Sequence, residues 1–66
     1  MGGDHPNTLN TMNNLGVLYC NQGNYIKAEE YYVKCYEGRL RALGEDHPDT
    51  LSSMNILGNL YESLGL

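Results

Sequence analysis

Apolar residues recur at three- and four-residue steps through Leu9, Met12, Leu15, Leu18 and Tyr19, the period of one helical face, and predict a helix from Pro6 to about Asn21. Pro6 suits the first helical turn, where its missing N–H is no loss. The pattern breaks at Asn21-Gln22-Gly23-Asn24, where Gly23 can take the C′ position and Asn24 can cap the next helix. A second helix is expected over about Tyr25 to Leu43, antiparallel to the first. It carries two apolar lines, one at Tyr25, Ala28, Tyr32, Cys35 and Tyr36, the other at Ile26, Val33 and Leu40 with heptad spacing. Two lines imply two neighbours, the helix before and the helix after. Gly44 closes this element, and a third helix is expected from Pro48 to about Leu64. The expected fold class is all-α, a helical hairpin plus one further helix in a single module over residues 1–66.

The first helix returns. Gly2 to Asn24 set against Gly44 to Leu66 gives 13 identical pairs of 23, without a gap, at an offset of 42 residues. A fixed period of this size signals supersecondary units that stack because none buries its apolar face alone. Met1-Gly2-Gly3 reads as a ragged start at a repeat boundary, and the chain as a fragment of a helical solenoid. Gly16 lies inside the apolar stripe, where glycine costs about 1 kcal/mol relative to alanine, so close approach of another helix is its expected reason. The first copy of the motif has a hairpin partner and the second has none. Ile56, Leu57, Leu60, Tyr61 and Leu64 of the third helix form an apolar surface too wide for one neighbour, which points to self-association, as a two-fold dimer or a head-to-tail stack. A closed oligomer is the favoured form.

Composition narrows the partners. A net charge of −4 argues against a nucleic-acid backbone or an anionic membrane surface. No apolar run approaches the roughly 20 residues of a membrane span. Cys20 and Cys35 stand outside any CxxC pattern and no signal peptide precedes them, so both are read as reduced thiols of a cytoplasmic protein. With 66 residues the core is thin, and without disulfide or metal the usual remaining support is association. Every aromatic residue is a tyrosine, so rings are expected at helix seams with their hydroxyls reaching polar partners.

Met12-x2-Leu15-Gly16-x2-Tyr19, followed by Gly23, Tyr25, Ala28 and Tyr32, resembles the tetratricopeptide repeat, with Met12 where that family usually has Trp. Met54-x2-Leu57-Gly58-x2-Tyr61 repeats its first half. The 42-residue period, the Asp-His-Pro before each first helix and the Asn13-Asn14 pair are most similar to the long repeats of kinesin light chain and nephrocystin-like proteins. The resemblance implies an αα-hairpin solenoid of about one and a half repeats, whose first helices line a concave groove for peptides.

The groove stripe by spacing is Asn10, Asn13, Val17 and Cys20 with Asn14 beside it, and Ser52, Asn55, Asn59 and Glu62 in the third helix. Amides both donate and accept, so such a row can hold a peptide backbone, the family's habit for the Asn matching Asn13 and Asn55; the plainer reading is a solvated polar face. Repeats of this family that clamp a carboxylate do so with bases on the first helices. Here all four bases, Lys27, Lys34, Arg39 and Arg41, fall on the second. They read as a solvated face paired with Glu29, Glu30 and Glu37. Cys35 stands where the family usually has a small alanine and is expected to be buried packing. His5 and His47 sit at one repeat position, next to no second ligand at metal spacing, and read as structural groups at helix starts. Asp4, Asp46 and Asp49 complement the positive helix ends there. No catalytic, cofactor-binding or metal-binding residue is expected, and the function class is a non-catalytic scaffold with a protein, a peptide or its own copy as partner.

Overall fold

Two prolines, each behind a histidine, start two of the three helices. The computed structural model describes residues 5–65 and folds as α1 (Pro6–Asn21), α2 (Tyr25–Leu43) and α3 (Pro48–Ser63). The readings of Met1 to Gly3 as a ragged start and of Asp4 as a dipole partner lie outside the described residues. His5 and His47 both hold extended backbone, and each ring accepts through Nδ1 the amide of the residue two further on: Asn7 N–H at 3.2 Å and Asp49 N–H at 3.0 Å. The two histidines are therefore N-caps, which supplies an acceptor to an otherwise orphan donor in the first turn.

The hairpin turn depends on one glycine. Gly23 adopts φ +79°, its N–H reaches Cys20 O at 2.9 Å and the Asn24 N–H reaches Tyr19 O at 2.8 Å. That pair of bonds is the Schellman closure of α1. Asn24 then turns from stop to start, its Oδ1 accepting the Lys27 N–H at 3.3 Å.

α2 lies between the other two helices, whose Cα traces nowhere approach each other within 8 Å. One buried line on α2, Ala28, Tyr32, Cys35 and Arg39, reaches both α1 and α3. At its upper end Ala28, Tyr32 and Leu60 of α3 form the core, with Tyr19 and Cys20 from α1 and Ile56 and Leu57 from α3 packed around it. In the middle the Cys35 thiol donates to Leu9 O of α1 at 3.3 Å and stands 3.8 Å from Ser53 Oγ of α3. At the lower end the Arg39 guanidinium donates to Asn10 Oδ1 of α1 at 3.3 Å, and to Ser53 Oγ and Asp49 O of α3 at 2.7 and 3.2 Å.

Two expectations are overturned. The Ile26, Val33 and Leu40 line does not serve a second neighbour: Ile26 is 77% exposed and Leu40 is also exposed. One narrow line suffices for both neighbours because Ala28, Cys35 and Gly38 are small, so α1 and α3 both come close to the same face. Nor are the four bases a uniformly solvated face. Arg39 is buried in its clasp with Asn10, Asp49 and Ser53, Lys27 Nζ lies 6.0 Å over the Tyr19 ring and Lys34 Nζ 5.6 Å over Tyr31. Those two rings stack on each other across α1 and α2, centroids 5.6 Å apart and planes 9° from parallel. A tyrosine pair with an ammonium on each ring is a cation–π arrangement that ties the hairpin at its surface.

Gly16 meets its expectation. A Cβ built there would lie 2.5 and 2.6 Å from Cε1 and Cδ1 of the Tyr32 ring, a ring held by the surrounding core, so only glycine admits α2 at this separation.

Candidate functional site

Each helix of the repeated pair has two adjacent faces, and the two copies bury different ones. α1 turns Leu9, Met12, Gly16 and Tyr19 towards α2; Leu9 is 2% exposed and Gly16 is buried. α3 turns the face one residue earlier, Thr50, Ser53, Leu57 and Leu60, and Leu60 is 4% exposed. The face of α3 that copies α1's buried one is open over Leu51, Met54 and Gly58. Leu51 and Met54 are 45% and 49% exposed, and a Cβ at Gly58 would meet nothing within 4 Å. At the opposite end α1 leaves Leu18, the copy of Leu60, 49% exposed.

The five residues expected to carry self-association divide accordingly. Leu60 is taken up by α2, Ile56 and Leu57 are half-buried against the same core, and Leu64 is exposed. Tyr61 is half-buried and its hydroxyl donates to Glu29 Oε2 at 2.6 Å, a tie between α3 and α2 that raises its pKa, by the hydrogen bond to the carboxylate first and burial second. The residues α3 does present, Leu51, Met54 and Gly58, were legible as the copies of Leu9, Met12 and Gly16.

The groove stripe is also divided. Asn10 is drawn into the Arg39 clasp. Asn13 is half-buried, with Oδ1 buried and without a hydrogen-bond partner among the described residues. Asn14, Val17, Asn55 and Asn59 are exposed. Of these, Asn59 lines a cleft of about 260 Å³ between α1 and α3, together with Cys20, Ile56, Leu60, Ser63 and the rings of Tyr25 and Tyr32. Spacing within the first helices missed the two tyrosines, which come from α2. Burial of the Tyr32 ring, and then the hydrogen bond with Cys20, push the Tyr32 pKa up to about 12. The cleft is thus apolar and aromatic with an amide at its edge, suited to a side chain rather than to an ion.

His5 and His47 are spent on the helix caps, and the described residues contain no group of three or more His, Cys, Asp and Glu able to hold a metal ion. Among the described residues no helix is long and apolar enough to cross a membrane.

A family model described as tetratricopeptide repeat matches residues 8–49, one full period of the internal repeat. No curated protein and no solved structure matches the chain.

Proposed function

Because the chain belongs to the tetratricopeptide repeat family, whose repeats generally mediate protein–protein interaction, we propose that it is a non-catalytic interaction module that engages other proteins through the outer faces of its helical stack. The observation that carries this reading is the open copy of a packed surface: Leu51, Met54 and Gly58 repeat Leu9, Met12 and Gly16 but have no helix across from them among the described residues. Apolar residues grouped on one helix face mark contact surfaces.

Self-association is the form of this function that needs no other component, and exposed Leu18 at one end with Met54 at the other favours it. Sedimentation at micromolar concentration tests it. A mass above that of one chain, returned to that of one chain by Met54→Asp, is the expected result; a folded monomer throughout sinks self-association. A peptide-binding role for the concave side rests on the cleft that Asn59 shares with Tyr25 and Tyr32. Capture of a peptide there should be lost on Asn59→Ala together with Tyr25→Ala, and undiminished capture would move the binding elsewhere.

A further inference from the structure

We infer that the outer face of α2 is a docking site for a separate cationic amphipathic helix, one that lays apolar residues along Ile26, Val33 and Leu40 and sets lysines or arginines beside Glu30 and Glu37. This surface is distinct from the open face of α3, and the inference does not depend on that face.

Ile26, Val33 and Leu40 stand seven residues apart on α2. Seven residues fall about 20° short of two full turns, so the three make a nearly straight apolar line about 21 Å long. At about 100° per residue the line runs roughly opposite the buried one at Ala28, Tyr32, Cys35 and Arg39. α2 already has a helix on each side, and this face is turned away from both. Ile26 is 77% exposed, Leu40 is exposed and Val33 is half-buried. One exposed apolar side chain needs no explanation, but three at heptad spacing on a helix that packs by its other side have the pattern of a seam.

Charge selects the occupant. Glu29, Glu30, Lys34 and Glu37 surround Val33 in a shallow depression. The nearby bases do not balance those acids along the line. Lys34 Nζ is drawn over the Tyr31 ring and Lys27 Nζ over Tyr19, and Arg41 has a partner of its own. Glu29 accepts the Tyr61 hydroxyl, whereas Glu30 and Glu37 are exposed. The cation–π ties of the hairpin thus hold two ammonium groups to one flank and leave carboxylates beside the apolar line. Such a surface complements a helix whose apolar face is edged with bases.

The same face of a second copy is a poor match. In an antiparallel pair centred on Val33, Glu30 of one copy falls next to Glu37 of the other, and like charges so placed oppose the pairing.

The test uses the 66-residue chain and a synthetic helix of about 15 residues, long enough to cover the line, with leucine on one face and lysine on its flanks. A peptide with glutamate in place of lysine is the control. Calorimetry should give one Leu/Lys peptide per chain, bound more weakly as salt rises, and no binding of the Leu/Glu peptide. Ile26→Ser leaves the charge unchanged at a side chain already in solvent, so it should keep the thermal midpoint while weakening binding about tenfold. Glu30→Gln with Glu37→Gln should weaken binding about threefold at low salt. Glu45→Gln with Asp46→Asn removes the same charge from the loop before α3 and should leave binding intact. Absence of Leu/Lys binding overturns the inference, and so does equal binding of the Leu/Glu peptide. Binding that ignores Ile26→Ser, or that falls equally with the loop pair, is attraction by net charge and overturns it too. Loss on Met54→Asp or Asn59→Ala, with Ile26→Ser silent, moves the peptide to α3 or to the cleft and overturns it. A chain that sediments as an oligomer dissociated by Ile26→Ser would give the face to a second copy and overturn the cationic partner.

Discussion

Leu9, Met12, Gly16 and Tyr19 of α1 are matched by Leu51, Met54, Gly58 and Tyr61 of α3, yet the first set packs against α2 while in the second Leu51 and Met54 are exposed and Gly58 faces open space. Conversely Leu60 is buried where its copy Leu18 is exposed. A repeated helix of this kind carries two working faces separated by one residue, about 100° of rotation. Which face is core is decided by which neighbour is present. An amino acid's identity and its helical spacing therefore do not settle its role; position in the stack does.

The comparison is most sharply tested by exchanging leucines for alanine at the four sites. Leu9→Ala and Leu60→Ala should each cost about 2–4 kcal/mol in urea unfolding, while Leu51→Ala and Leu18→Ala should stay within about 0.5 kcal/mol. A Leu51→Ala variant as damaging as Leu9→Ala would mean that both helices bury the same face. Next in size is Arg39→Met. It removes the donors to Asn10, Ser53 and Asp49 O together, and a loss of about 2–3 kcal/mol is expected by the same measurement. A neutral result would show that the clasp contributes no net stability.

The glycines should respond with opposite signs. Gly16→Ala forces a methyl into the Tyr32 ring and should destabilise by about 1–3 kcal/mol, whereas Gly58→Ala should stabilise by up to about 1 kcal/mol because it gains helix propensity in open space. Equal signs in thermal melts would break the contrast. The packed side also carries a pH effect, through Tyr32. Since the folded state raises the Tyr32 pKa from 10.0 to about 12, the stability linked to its protonation is complete below pH 10 and is lost as pH rises through 12. Tyr32→Phe should flatten the alkaline arm of a stability–pH curve. The smallest effect is the one where the copies should agree: His5→Ala and His47→Ala each remove one N-cap acceptor and should cost about 0.5–1 kcal/mol apiece.

The sequence carried the local signals well. Proline starts, Gly23 and Asn24 fix the three helices because each acts within a turn of itself, and the Gly16 stripe announced a close helix. What it did not carry was the orientation of α3, since Thr50, Ser53, Leu57 and Leu60 and the adjacent Leu51, Met54 and Gly58 both read as plausible helix faces. Arg39 was read as solvated because its partners Ser53 and Asn10 lie 14 and 29 residues away, beyond any local pattern. The cleft suffered likewise: it brings Asn59 of α3 together with Tyr25 and Tyr32 from a different helix.

The single buried line on α2 also sets an order of events. α1 and α2 meet across a short turn and can zip as a local hairpin, the kind of contact that forms fast. α3 packs on α2 alone, its backbone clear of α1's, so it is held by one neighbour where α2 is held by two. Opening is expected to begin at α3, with its amides exchanging with solvent before those of α2. The helix that offers the open face is the one the fold lets go of first.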